Sequence, residues 1–153
     1  MELSKVLTPE LVVYPLEASS KEEVISKLIY ALQSAGKLTH PEIAKKAVME
    51  REKLMSTGVG RGVAIPHGKY PYTDEVLVCV GVSRKGVDFD AVDGQPVYIF
   101  VLLLTPEKQP SKHLKLLSKF SRILNTVQAR EEILEAQSPE EIARVFHKYD
   151  KKY

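Results

Sequence analysis

Two unbroken apolar runs constrain this chain more than any other feature. Residues 76–82 and 97–104 contain no charged side chain and only one hydroxyl, that of Tyr98. A strand with one wet face alternates apolar and polar residues, so continuous runs of this length read as buried strands. Both are far too short to span a bilayer. Around them lie segments with helical periodicity. Ser20-Lys21-Glu22-Glu23 has the spacing of a capping box, followed by Val24, Ile25, Leu28, Ile29 and Leu32 on one face and Gly36 as a stop. Thr39-His40-Pro41-Glu42 repeats that logic, with Ile43, Ala47 and Leu54 as apolar positions. A third helix is expected from Ser111, with Leu114, Leu117, Phe120 and Leu124 facing inward, then a short one over 129–136. Ser138-Pro139-Glu140-Glu141 caps a last helix carrying Ile142, Val145 and Phe146. Residues 11–16 read as a short strand, 63–65 as a short apolar run stopped by Pro66, and 87–89 as a further short strand. Interleaved strands and helices without repeat or linker predict one α/β domain over 1–153.

Composition narrows the function. The chain has 153 residues, 44% hydrophobic and 27% charged, a globular balance. Net charge is +2, from 22 basic and 20 acidic residues. The basic residues are dispersed except in the tail 148–152, which contains Asp150, so nucleic acid is not an expected partner. A single cysteine, Cys79, makes no intrachain disulfide and no paired-cysteine metal site. The N-terminus shows no basic segment leading into an apolar core. The expectation is a soluble cytoplasmic protein, not inserted in a membrane.

Four histidines are candidates for chemistry: His40, His67, His113 and His147. None has metal-motif spacing, and no metal or other cofactor is expected. His40 and His147 fall near helix ends and read as surface residues. His67 follows an apolar run and Pro66, and precedes Gly68 and Lys69. Such a frame presents a reactive ring at a sheet edge, although a histidine that merely ends a strand fits the same pattern. His113, near a helix N-terminus, reads as a half-buried packing histidine held neutral. Gly58, Gly60 and Gly62 are neither a dinucleotide fingerprint nor a P-loop; they read as a mobile turn or as exposed amides. Glu50-Arg51-Glu52-Lys53 reads as a solvated helix end.

Arg51-Glu52, Ser56-Thr57-Gly58 and Gly60-Arg61-Gly62-Val63-Ala64-Ile65-Pro66-His67-Gly68 together resemble the signature of the fructose, mannitol and nitrogen-regulatory class of enzyme IIA domains of the bacterial phosphotransferase system. Asp88-Phe89-Asp90 through Pro96-Val97, Leu104-Thr105-Pro106 and His113-Leu114 extend the resemblance over nearly the whole chain. It implies a mixed β-sheet flanked by helices on both sides. It implies that His67 is the phosphorylated histidine, that His113 lies beside it, and that Arg51 is the nearby arginine. Ser56, Thr57 and Gly58 then become candidate phosphate-binding donors. The partners implied are an HPr-type phosphocarrier as donor, and an enzyme IIB or a regulatory target downstream. Cys79, inside a strand, reads as core rather than as a IIB-type nucleophile. The look of a free-standing chain is that of the nitrogen-regulatory branch. A free-standing sugar-uptake IIA, a binding regulator that never carries phosphate, and a hydrolase are the competing readings. Val59, Val63 and Ile65, with Arg61 and Lys69, are expected to border the docking surface.

Overall fold

The computed structural model describes residues 2–108 and 110–152. In chain order the elements are α1 (Leu3–Val6), a 3₁₀ turn (Pro9–Leu11), β1 (Val12–Val13), α2 (Lys21–Ser34) and α3 (Pro41–Leu54). Next come β2 (Gly58–Gly60), β3 (Val63–Ala64), β4 (His67–Lys69), β5 (Leu77–Val87) and β6 (Val97–Thr105). The chain closes with α4 (Pro110–Leu124), α5 (Val127–Glu135) and α6 (Pro139–Asp150).

The two apolar runs become β5 and β6, paired antiparallel from Leu77 opposite Leu104 to Val87 opposite Val97. Residues 77–83 of β5 and 99–105 of β6 are buried throughout. The sheet order is β1-β5-β6-β3-β2, with β4 also on β6. Its pairing is mixed, since β1 runs parallel to β5 and both β3 and β4 run parallel to β6. The separate strand expected over 87–89 does not form. Val87 is instead the last residue of β5, and Phe89 is buried beyond it. The strand expected over 11–16 shrinks to Val12–Val13. Pro9 opens a 3₁₀ turn that takes in Leu11, and Pro15 has no amide to offer; Leu16 N–H rejoins β5 at the Val82 carbonyl, 2.8 Å away.

The helix caps follow from local chemistry. Ser20 accepts from the Glu23 amide at 3.1 Å, and Ser138 from the Glu141 amide at 3.1 Å. Both glutamates reach back one residue further than a capping box predicts. Glu23 accepts from the Ser19 amide at 2.8 Å and Glu141 from the Gln137 amide at 2.9 Å. In α3 the N-cap is His40, without a side-chain cap, because the Thr39 hydroxyl turns to His40 Nδ1. The apolar face of α3 is also rotated from expectation. Ala44, Val48 and Glu52 are buried, whereas Ile43 and Leu54 are exposed. In α4 the buried stripe is Leu116, Phe120, Ile123 and Leu124; Leu114 falls on the opposite side and is exposed.

Close approaches identify which helix covers which face. A Cβ on Gly81 of β5 would lie 2.9 Å from Leu28 of α2. A Cβ on Gly68 of β4 would lie 3.0 Å from the Val48 nitrogen and 3.1 Å from the Ala47 carbonyl carbon of α3. Phe100 stands opposite Gly81 and Leu104 opposite Gly68, so one alternating set of residues faces α2 and α3. The other set, His67 and Leu103 among them, faces the layer in which α4, α5 and α6 pack together. Helices therefore cover both faces, as the resemblance implies.

Gly68→Ala forces a methyl onto the α3 backbone, where no side chain can swing aside. The expected cost is about 1–3 kcal/mol, read as a lower urea midpoint at unchanged m-value. A midpoint equal to wild type would contradict this packing.

Candidate functional site

The site begins with an interruption in a strand. Val63 and Ala64 stand opposite Ile99 and Phe100; His67, Gly68 and Lys69 stand opposite Leu103, Leu104 and Thr105. The register is the same on both sides of Ile65-Pro66. Pro66 has no N–H for the ladder, but its carbonyl accepts from Leu103 N–H at 3.0 Å. The Ile65 N–H bonds to the Thr57 carbonyl at 3.1 Å. Its own carbonyl lies 3.0 Å from His67 Nδ1. A carbonyl only accepts, so Nδ1 carries the proton and Nε2 keeps the lone pair. His67 is half-buried, and among the described residues no strand pairs with the outer edge of β4.

His113, from the first turns of α4, meets His67 on the face predicted by strand alternation. The ring centroids are 5.3 Å apart and the planes are inclined by 47°. Burial holds the His113 pKa below the ordinary histidine value, with His67 and then Lys69 adding to the depression. Its ring is therefore neutral near pH 7. His113 Nδ1 is buried and has no hydrogen-bond partner among the described residues. A buried polar atom of this kind is costly unless something arrives to satisfy it.

Arg51 lies one turn beyond Ala47 and Val48 on α3, toward the end of the helix where Thr57 bonds Ile65. Its Nη1 donates to the Met55 carbonyl at 2.7 Å. No carboxylate pairs with it among the described residues. α3, which carries Arg51, covers the face of the sheet opposite α4.

The expected phosphate donors are otherwise engaged. Ser56 Oγ donates to the Phe89 carbonyl at 2.7 Å and accepts from the Gly58 amide at 3.0 Å. The Thr57 amide donates to both oxygens of Glu52 at 3.2 Å, and its hydroxyl donates to the same carboxylate. These bonds hold the loop together. Gly60, Arg61 and Gly62, all with positive φ, form the turn between β2 and β3. Of the expected docking trio, Val59 is exposed while Val63 and Ile65 are buried. Arg61 is tied to Asn125 at the end of α4 by a 2.9 Å bond.

Glu52 is the residue the helix-end reading missed. Its side chain is 1% exposed and pairs with Lys21 at 3.1 Å. A helix-face count gives the only hint, since Glu52 continues the stripe of Ala44 and Val48. The remaining histidines are structural. His40 stacks on Tyr72 at 3.9 Å, and His147 Nε2 lies 2.7 Å from the Leu7 carbonyl. Cys79 is buried, and burial pushes its thiol pKa up, away from nucleophilic use.

Known proteins resemble the chain over nearly its whole length. Residues 5–149 match the family model described as phosphoenolpyruvate-dependent sugar phosphotransferase system, EIIA 2. The chain is 34% identical over 151 residues to the PTS system fructose-specific EIIABC component of Bacillus subtilis, covering 99% of this chain but 24% of that protein. It is 33% identical over 144 residues to the PTS system fructose-specific EIIA component of Haloferax volcanii, covering 94% of each. Among solved structures, the nitrogen regulatory protein IIA-Ntr from Neisseria meningitidis superposes with a TM-score of 0.86 at 32% identity, over 94% of this chain and 98% of that one. Among the described residues, no helix is long and apolar enough to cross a membrane.

The depressed His113 pKa has a definite pH signature. Between its folded value and the ordinary 6.5, the unfolded chain binds a proton that the folded chain refuses. Stability therefore rises with pH through that window and levels off above it. His113→Gln should flatten this part of the profile in urea unfolding measured between pH 5 and pH 8. An unchanged slope in the variant would assign it to other groups.

Proposed function

The chain belongs to the phosphoenolpyruvate-dependent sugar phosphotransferase system EIIA 2 family, and we propose that it accepts a phosphoryl group from an HPr-type protein on Nε2 of His67. The observation that supports this is the Nδ1–H bond from His67 to the Ile65 carbonyl beside the neutral ring of His113. The bond leaves Nε2 as the nucleophilic nitrogen and fixes its direction. Attack of the Nε2 lone pair forms a new N–P bond as the donor's P–N bond breaks, the electron pair returning to the donor nitrogen. Both sides of the exchange are phosphoramidates of imidazole, so the step is close to reversible. Positioning and charge stabilisation supply most of the catalysis.

His113 suits the second role because it is uncharged and has an unpartnered buried nitrogen. A phosphoryl oxygen on His67 gives that nitrogen its acceptor when it carries the ring proton. The phosphoryl charge also reverses the local balance, so His113 is more basic in the phosphorylated protein. Arg51 reaches the same oxygens around the edge of β4 and offsets their charge.

A protein donor needs a surface to dock on. Leu54, Met55, Val59, Val92 and Leu114 are all exposed, and Leu114 adjoins His113 on α4. Exposed apolar side chains concentrated on one region mark an interaction surface. Onward transfer to an enzyme IIB cysteine and phosphorylation-dependent binding to a regulatory target are the two outlets. The relatives include both fructose-specific and nitrogen regulatory proteins.

The test mixes the protein with phosphoenolpyruvate, enzyme I and an HPr, and follows acid-labile phosphate by intact mass. Wild type should gain one phosphoryl group and His67→Ala none. His113→Ala and Arg51→Ala should gain it at rates reduced by roughly a hundredfold, the scale for losing one donor to developing charge. Adding an enzyme IIB with its cysteine then separates the outlets: loss of label to IIB gives the sugar-uptake role. Folded wild type that stays unlabelled with every HPr would leave a binding module that carries no phosphate.

A further inference from the structure

We infer that Glu52 is a positioning residue for His67, acting through Thr57 and Ile65; the inference extends the phosphocarrier reading. The argument follows a chain of hydrogen bonds from the core to the ring. Glu52 is buried on the last turns of α3, and Lys21 at the start of α2 pairs with it at 3.1 Å. Its carboxylate accepts both the amide and the hydroxyl of Thr57. The Thr57 carbonyl accepts the Ile65 amide at 3.1 Å. The Ile65 carbonyl accepts His67 Nδ1–H at 3.0 Å. Each link uses up the group that would otherwise let the next residue turn.

The chain works mechanically. The N–H and C=O of one residue belong to different peptide units, so polarisation from the carboxylate does not pass through a conjugated amide at Thr57 or Ile65. What passes is orientation. Pro66 makes that orientation necessary, because the ladder to β6 lacks an amide there and cannot hold the Ile65–Pro66 peptide alone. Without Thr57 fixed by Glu52, the Ile65 carbonyl is free to tilt, and the Nδ1–H tautomer of His67 loses the only acceptor it has among the described residues. A buried carboxylate needs a reason to be kept, since a well-packed apolar side chain is often as stable. Lys21 extends the anchor outward: its ammonium also lies 3.4 Å from Asp90 and 4.9 Å from the Phe89 ring centroid. The same loop carries the carbonyl that holds Ser56.

The test reads the tautomer directly, by long-range ¹H–¹⁵N correlation of the His67 ring in unphosphorylated protein. Wild type should show one neutral form, protonated on Nδ1. Glu52→Gln keeps the shape but places an amide among donors, and should give a mixture of Nδ1–H and Nε2–H forms. Phosphoryl acceptance should slow by about tenfold, the cost of a small misplacement of a reacting group. Lys21→Gln, at a partly exposed position, loosens the same carboxylate without opening a cavity. It should shift the tautomers in the same direction by less, and it serves if Glu52→Gln does not fold. A loss of thermal stability alone would not move the tautomer, so a single Nδ1–H form in every folded variant overturns the role. The readout needs no phosphoryl donor. A mixed tautomer in Glu52→Gln, in a protein whose wild type takes no phosphoryl group, would uphold the positioning role and sink the phosphocarrier reading by itself.

Discussion

The site depends on one constraint: residues 63–69 must lie along β6 in a single register although Pro66 breaks the ladder in their middle. The pairing survives because the missing amide is replaced by bonds on either side. Leu103 N–H bonds to the Pro66 carbonyl, and Tyr70 N–H bonds to the Thr105 carbonyl at 2.8 Å. The Ile65 carbonyl faces away from β6, on the side where the Ile65 amide bonds to Thr57, and His67 takes it. Buried β5 and β6 make the defect affordable, since each fully buried Leu, Ile or Val contributes roughly 1.5–3 kcal/mol.

Electrostatics then decide how two histidines can stand 5.3 Å apart. Two charged rings at that separation would repel. Burial, reinforced by His67 and Lys69, keeps His113 neutral. The neutral His113 ring therefore stands beside His67, with Lys69 adding positive charge to its surroundings. A phosphoryl dianion changes the sign of the local field, and with it the protonation state that His113 prefers. Under the proposed function the site meets two charge states, those of a carrier alternating between loaded and empty forms.

Much of the fold was legible in the residues. The continuous apolar character of 76–82 and 97–104 is a direct consequence of burial on both faces, and Ser20 and Ser138 cap where their hydroxyls predict. His67 stood out because a strand, a proline and a glycine surround it. His113 did not, because a helix residue beside leucines looks the same whether it packs or binds; only the family resemblance marked it. The misreadings share a cause. Leu114, Ile43 and Leu54 are apolar and exposed, while Glu52 is charged and buried. Local pattern assigns such residues by hydrophobicity, but tertiary contacts choose the face. Local pattern also did not show the partners of the Ser56 and Thr57 hydroxyls, Phe89 and Glu52, which tertiary structure brings to them.

The central claim is that the geometry of residues 65–67 selects one nitrogen of His67 for phosphoryl transfer. The most direct test is ³¹P and ¹⁵N spectroscopy of the protein phosphorylated through enzyme I and HPr. Phosphorus bonded to Nε2, with Nδ1 still protonated and its proton bonded to the Ile65 carbonyl, is the predicted result. Phosphorus on Nδ1, or on any residue other than His67, would contradict the account at its base.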